Sequence, residues 1–130
     1  MKMIEDKYCE ICGAPAETHH IILRSECKPL ENCKMNMINL CYYHHRDHKV
    51  GAHHNKKFNL KLKLEFQNKL ELLFDSEYLT KSDIKNCLQI SERATDSLCK
   101  TILSDKGKFY RQDVIRACMG GKMILDKEME

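Results

Sequence analysis

All seven histidines and five of the eight cysteines fall within the first 54 residues, which makes this stretch the place to look for metal chemistry. Two pairs with the same two-residue gap bracket it: Cys9 with Cys12, and Cys41 with His44. Three thiolates and one imidazole in two such pairs are typical of a tetrahedral zinc site that stabilises a small fold. We therefore predict structural Zn²⁺ at these four residues. His45 is an alternative fourth ligand, although the equal gaps favour His44.

A second set of histidines lies between these pairs and just behind them. His19 and His20 are followed by three aliphatic residues, which predicts a short strand that begins at His19. Neighbouring side chains point to opposite sides of a strand, so one imidazole can bind a metal while the other faces a separate position, such as a water. A helix that begins near Cys41 would present His44 and His45 about 100° apart, one towards the zinc and one towards a second centre.

Two loops complete the stretch. The first, residues 25–36, contains Cys27 and Cys33, whose spacing matches no zinc pattern, and we expect these to be buried or incidental thiols. The second, residues 48–55, contains a glycine. It is expected to be a loop or broken helix that returns one of the two adjacent histidines near its end to the inner centre.

The whole chain has 130 residues, 42% hydrophobic and 32% charged, which fits one domain or two very small ones and not a disordered or membrane protein. No apolar run approaches 18 residues, so no membrane span is predicted. The first ten residues lack the apolar core of a signal peptide, which favours a cytoplasmic location with reduced thiols. A disulfide scaffold is the competing interpretation of the even cysteine count, but the clustered histidines and the missing export signal disfavour it.

The net charge of +3 permits a nucleic-acid partner, and the position of the charges is more informative than their sum. Residues 46–71 hold seven Lys or Arg against three Asp or Glu, a local excess directly behind the histidines. A phosphate backbone would need positive charge here, so we predict DNA contact through residues 46–71. A solvated lysine face is the alternative.

The chain is predicted to divide near residue 75. Residues 56–75 alternate like a strand at one end and follow a helical stripe at the other. Strong helix formers favour a helix over 60–74 with Asn59 as its cap. This helix would close a first domain, residues 1–75.

Residues 76–130 predict a second domain of three short helices. Thr80 caps the first, Ser91 caps the second, and the third spans residues 112–119 before two glycines. The tight turn between the first two helices indicates a helix-turn-helix-like unit. Ten Lys or Arg against nine Asp or Glu leave DNA contact and protein docking equally open for this unit.

The order of these motifs resembles that of the HNH endonucleases, a family with a ββα-metal fold. The adjacent histidines, Asn36 and His45 match in order over roughly residues 8–58. The chain departs from the common pattern in having His44 where a fourth cysteine usually stands, and a cysteine-bearing loop where a glycine turn is frequent. The resemblance implies an α+β fold in which a zinc-stabilised ββα-metal unit is followed by a small helical, helix-turn-helix-like unit.

The resemblance also implies a role for each matched residue. His19 and His45 correspond to ligands of a catalytic divalent ion, and His20 corresponds to the general base that activates a water. Asn36 would hold the loop that aims His20, since its amide both donates and accepts hydrogen bonds.

The implied activity is metal-dependent hydrolysis of DNA phosphodiester bonds, by nicking or cleavage, in a protein of the kind that phages and mobile elements encode. The ion (Mg²⁺, Mn²⁺, Ni²⁺ or Zn²⁺) would contact a phosphate oxygen and the departing 3′ oxygen. Its third protein ligand would be His53 or, failing that, His48. The alternative is a catalytically silent, zinc-stabilised module that binds nucleic acid or protein, such as a phage protein acting on a host complex.

Overall fold

Two antiparallel strands and a short helix are the first regular elements in a computed structural model that describes residues 7–125. The strands are β1 (Glu17–His20) and β2 (Met37–Leu40), and they pair with His19 opposite Ile38. The helix α1 (Tyr42–Arg46) follows β2 after a single residue. Strands and helices continue along the chain, so the protein is a mixed α/β structure.

The strand that carries the paired histidines lies two residues earlier than predicted: it ends at His20 instead of beginning at His19. The aliphatic run behind it leaves the sheet, because the backbone N–H and C=O of Ile22 bond to the side chain of Asn36 and not to a neighbouring strand. Two 3-10 turns, Lys28–Leu30 and Lys34–Asn36, then lead into β2.

The long helix α2 spans Lys56–Leu73 and starts four residues before the predicted position. The predicted cap was wrong: Asn55, not Asn59, caps the helix, and its side-chain oxygen accepts from the N–H of Phe58 at 2.9 Å. Asn55 directly precedes the run of helix-forming residues, so a cap at this position places the whole run inside the helix. The buried side of α2 includes Phe66 and Leu70.

The rest of the chain contains the three predicted helices and a second sheet that was not predicted. The sheet is antiparallel with strand order β3-β5-β4. Strands of two or three residues show too little alternation to be recognised in a sequence. The elements are β3 (Tyr78–Leu79), α3 (Lys81–Leu88), α4 (Glu92–Cys99), β4 (Ser104–Asp105), β5 (Lys108–Tyr110) and α5 (Arg111–Cys118).

The predicted helix starts are confirmed by their hydrogen bonds. The Thr80 side chain accepts from the N–H of Asp83, and the Asp83 carboxylate accepts from the N–H of Thr80, which completes a capping box. The side chain of Ser91 accepts from the N–H of Ala94 at the start of α4. Gln89, in the left-handed region at φ +54°, makes the turn between α3 and α4.

Residues from both predicted domains share one hydrophobic cluster. The Cys33 thiol donates to the carbonyl of Leu88 at 3.3 Å, and the buried Gln67 side chain bonds to the backbone of Ile124. The division at residue 75 stays a prediction. Within residues 7–125, none of the helices has the length and apolar character that crossing a membrane requires.

Candidate metal centres

The predicted zinc ligands come together at the start of α1. The ligand atoms of Cys9, Cys12, Cys41 and His44 all lie within 4.8 Å of one another, so the cluster could hold a metal ion. Sγ of Cys12 lies 3.7 Å from Sγ of Cys41, and Nδ1 of His44 lies 3.6 Å from Sγ of Cys9. The corresponding edges of a tetrahedral Zn²⁺ site are about 3.8 Å for two sulfurs and about 3.6 Å for sulfur and nitrogen. These two edges suit zinc, and Nδ1 of His44 lies closer to Sγ of Cys41, at 3.2 Å, as in a hydrogen bond that a metal ion would replace.

Local backbone turns hold the two ligand pairs in place. Gly13 adopts φ +78°, which lets the chain reverse behind the first pair, and its N–H donates to the carbonyl of Cys9 at 2.8 Å. The N–H of Ile11 points to Sγ of Cys9 at 3.4 Å. Cys41 caps α1, because its Sγ accepts from the N–H of His44 at 3.5 Å. Both pairs thus present sulfur to backbone donors.

The electrostatics of the thiols favour one thiolate strongly. Burial raises the pKa of the Cys9 thiol, but hydrogen bonds from the backbone of Cys41, Cys12 and Ile11 outweigh burial and bring the pKa to about 6. At Cys12 the backbone of Ala14 favours the thiolate, but desolvation and the neighbouring sulfurs of Cys41 and Cys9 raise the pKa. A cation among the sulfurs would offset the repulsion that raises the pKa of Cys12.

Three histidines meet in a second cluster. His19 lies on β1, His45 in α1 and His53 in the loop before α2, with ring centroids 4.5 to 4.9 Å apart. The ligand atoms of the set all lie within 4.8 Å of one another, so this cluster too could hold a metal ion. Nε2 of His53 and Nε2 of His45 lie 2.7 Å apart, a hydrogen bond that an ion between the rings would replace. The alternative ligand His48 lies outside it, exposed and packed on the ring of His54.

His19 shows how well the second cluster fits an ion. It is 2% exposed, and neither ring nitrogen has a hydrogen-bond partner among the described residues. Burial, followed by the nearby rings of His45 and His53, lowers the pKa of His19 to about 3, so the ring is neutral near pH 7. A buried polar group without a partner costs about 1–3 kcal/mol. A metal ion would supply the partner that this imidazole lacks.

Glu17 is a residue of this site that the sequence interpretation missed. Its Oε1 accepts from Nδ1 of His45 at 2.6 Å and from Nε of Arg46 at 2.8 Å. Hydrogen bonds from Arg46 and His45 hold the pKa of the Glu17 carboxyl below its usual value. Strand alternation could have predicted Glu17 from the sequence. Glu17 precedes His19 by two residues, and residues at that spacing share one face of a strand.

The loop that carries His53 can approach only because Gly51 has no side chain. A Cβ at Gly51 would lie 2.5 Å from the backbone nitrogen of Asp47. The N–H of His53 donates to the carbonyl of His45 at 3.2 Å, which fixes the loop on α1. The glycine noted in the sequence therefore positions the third histidine.

His20 lies in one pocket of about 260 Å³ with the three-histidine cluster. Its Nε2 lies 2.9 Å from the backbone carbonyl of Glu31. A carbonyl oxygen only accepts, so Nε2 carries the proton, and in the neutral ring Nδ1 keeps its lone pair. The pocket is lined by Thr18, His19, His20, Leu23, Arg24, Glu31, His45 and His53.

Asn36 joins the two chain segments that flank His20. It is fully buried, and its Oδ1 accepts from the N–H of Ile22 at 2.7 Å. Its Nδ2 donates to the carbonyls of Ile22 at 2.9 Å and Leu30 at 3.3 Å. Ile22 follows His20 by two residues and Leu30 precedes Glu31, so the amide spans the loop whose carbonyl contacts His20.

Most cations of the basic stretch, residues 46–71, are exposed. Of the seven, Arg46 pairs with Glu17 and Lys63 pairs with Glu26 at 2.6 Å, while the other five are exposed.

The two cysteines of the loop before β2 are buried. Cys27 and Cys33 are buried thiols, as predicted, and burial raises the pKa of Cys27 to about 11. All eight cysteines are free thiols.

Comparisons of the chain with protein-family models, with curated proteins and with solved structures found no match. The resemblance to the HNH endonucleases stays a prediction, as do the roles that it implies. The geometry establishes a mixed α/β protein with a Cys₃His cluster that could hold a structural metal ion and a separate cluster of three histidines.

Proposed function

We propose that the protein is a metal-dependent HNH endonuclease that hydrolyses DNA phosphodiester bonds with His20 as the general base. The observation that carries the proposal is one pocket in which a three-histidine set able to hold an ion lies beside a fourth histidine with an available nitrogen. The order of β1, β2 and α1 supports it further. The adjacent histidines end one strand, Asn36 precedes the other, and His45 lies in the helix.

His19, His45 and His53 would hold the catalytic ion. Imidazole nitrogen suits Ni²⁺ or Zn²⁺ better than Mg²⁺ or Mn²⁺, which prefer oxygen ligands, so the all-histidine set favours Ni²⁺ and Zn²⁺ among the four candidate ions. When bound, the ion would supply positive charge for the phosphate and for the departing 3′ oxygen.

The chain's own residues would handle the proton. A water oxygen bonds to phosphorus while Nδ1 of His20 accepts the proton of that water, and the bond from phosphorus to the 3′ oxygen breaks. The leaving oxygen takes a proton from solvent. The Glu31 carbonyl would keep its hydrogen bond to Nε2 and stabilise the positive charge that forms on His20, while Asn36 would brace the preceding residue through its hydrogen bond to the Leu30 carbonyl.

The Cys₃His cluster would hold structural Zn²⁺, which is supported by the close approach of its four ligand atoms. The five exposed cations of residues 46–71 would contact the DNA backbone. These assignments give the two clusters different roles. The ion at the Cys₃His cluster would stabilise the fold, and the ion at the three-histidine cluster would assist the reaction.

Nicking of supercoiled plasmid tests the proposal. Wild type, His20→Ala and His48→Ala are compared with each of Mn²⁺, Ni²⁺, Zn²⁺ and Mg²⁺, and His48→Ala is the matched control because that histidine lies outside the pocket. We expect His20→Ala to lose about 10²- to 10⁴-fold in nicking rate with unchanged zinc content and circular dichroism, and His48→Ala to retain activity.

Two results would overturn the proposal. Full activity in His20→Ala removes the assigned base. Retained DNA binding without cleavage by wild type, across all four ions, replaces the enzyme with the zinc-stabilised binding module.

A further inference from the structure

A groove of about 700 Å³ runs between the loop before β2 and the turn that joins α3 to α4. Lys28 and Glu31 belong to one wall, and Ser91 and Arg93 belong to the other. Glu31 also lines the 260 Å³ pocket that contains His20 and the three-histidine cluster, here named the catalytic pocket. In that pocket the carbonyl of Glu31 contacts His20. The groove and the pocket share Glu31, so the groove lies next to the pocket that contains the proposed base.

The charges along this groove favour a polyanion. Neither Lys28 nor Arg93 forms an ion pair with any residue that the structure describes. The single carboxylate of the groove, on Glu31, is partly neutralised by Arg24 of the catalytic pocket at 3.5 Å. The pocket and groove together carry three cations against one carboxylate, and the groove exposes more polar than apolar surface. An apolar peptide would leave these polar groups unpaired, whereas phosphates would match them.

The shape favours a single strand over a duplex. α4 is the second helix of the predicted helix-turn-helix-like unit, and the second helix of such a unit commonly enters a major groove. Here α4 packs against the turn Lys28–Leu30, and the groove follows that contact. One side of α4 is thus closed to a duplex, while an extended strand with exposed phosphates can lie along it.

We infer that this groove binds the sugar-phosphate backbone of a DNA strand on one side of the bond that is cut, with Lys28 and Arg93 contacting phosphates. The inference rests on the proposed function, since that function brings the strand into the catalytic pocket. It assigns the C-terminal unit a role in holding the substrate of the N-terminal site.

Salt-dependent binding tests the groove. A labelled single-stranded DNA is titrated without divalent ions into His20→Ala protein, with and without the added pair Lys28→Ala and Arg93→Ala. The matched control pair is Lys100→Ala and Lys108→Ala, which removes the same charge from exposed positions outside the groove. We expect the groove pair to weaken binding and to flatten the slope of log K against log salt by about 1.4, because each phosphate contact on a single strand contributes about 0.7. Equal effects of the two pairs, or no effect of the groove pair, overturn the inference.

A second measurement locates the contact. Once plasmid nicking has mapped a cut site, strands carrying that site receive one neutral methylphosphonate linkage at successive positions. The losses caused by the neutral linkage and by Arg93→Ala should fail to add at one linkage, because both remove the same contact. Additive losses at every linkage would sink the inference. If wild type cuts nothing while the salt test succeeds, the groove stands and the proposed reaction falls; cleavage with an inert groove pair gives the reverse.

Discussion

Glu17 determines which nitrogen of His45 faces the histidine cluster. A carboxylate at its lowered pKa only accepts, so the 2.6 Å contact requires a proton on Nδ1 of His45. Nε2 of the neutral ring then keeps its lone pair for the cluster. Arg46 holds the same carboxylate oxygen, which fixes the carboxylate from a second side. The resulting Glu–His arrangement is one that metal sites use to orient a ligand and raise its basicity.

Glu17→Gln should weaken metal binding at the histidine cluster by about 10- to 100-fold, because an amide can present its NH₂ group to His45 and no longer stabilises the proton on Nδ1. Calorimetric titration of Ni²⁺ into protein that already holds one equivalent of zinc measures the effect. Glu65→Gln, at an exposed position on α2, is the control. Equal affinities in the two variants would refute the role of Glu17.

Stability should fall as the pH drops from about 6.5 towards 3 because of His19. The folded pKa of about 3 lies below the ordinary value of 6.5, so within this window the unfolded chain binds a proton that the folded chain does not. The contribution is fully present above the window and is lost as the pH falls through it. One proton corresponds to a slope of at most ~1.4 kcal/mol per pH unit in the free energy of unfolding.

Urea unfolding at several pH values in that window measures the slope, in protein that holds one equivalent of zinc so that the histidine cluster stays free of metal. His19→Leu places an apolar side chain at the buried position. Its free energy of unfolding should depend less steeply on pH than that of wild type, by about one proton. The difference between the two proteins isolates His19 from the other groups that titrate here, such as His53. Parallel curves would show that His19 is not the source.

Cys41→Ser should release zinc and unfold the N-terminal unit, since a structural zinc site contributes on the order of 10 kcal/mol to folding in small domains. Zinc content by absorbance with a chelating dye and circular dichroism together report the loss. Cys87→Ser is the control, because Cys87 is a half-buried thiol outside both clusters. A folded Cys41→Ser protein without zinc would show that the ion is dispensable for the fold.

Asn36→Ala should cost about 3 kcal/mol or more of stability, because it leaves the N–H and C=O of Ile22 and the carbonyl of Leu30 buried without their partner. Urea unfolding gives the free-energy change. Asn68→Ala, exposed on α2, should stay within about 0.5 kcal/mol of wild type. A variant at Asn36 that unfolds at the same urea concentration as wild type would contradict the bracing role.

The spacing of ligands and caps could be interpreted from the chain because those features are local. Equal gaps in the two cysteine and histidine pairs require only that each pair sit on one turn, and the Thr80 and Ser91 caps act within four residues. The predicted start of α2 was wrong because Asn59 was chosen as the cap, although Asn55 directly precedes the whole run of helix-forming residues and accepts from the N–H of Phe58.

Features that depend on contacts between distant residues were harder to predict from the sequence. The choice of His53 over His48 follows from the close approach at Gly51, and the carbonyl of Glu31 beside His20 leaves no trace in residue types. The second sheet was missed because its strands are too short to show a period. Glu17 was the one avoidable omission, since strand alternation alone places it with His19.

A single peptide bond connects the two candidate ion sites, because His44 belongs to one cluster and His45 to the other. Neighbouring residues of a helix cannot move independently, so anything that shifts α1 at the thiolates also displaces an imidazole in the pocket. Loss of zinc would thus have two effects: it would destabilise the fold, and it would displace His45 from the histidine cluster. Availability of one metal in the cell would govern the use of another.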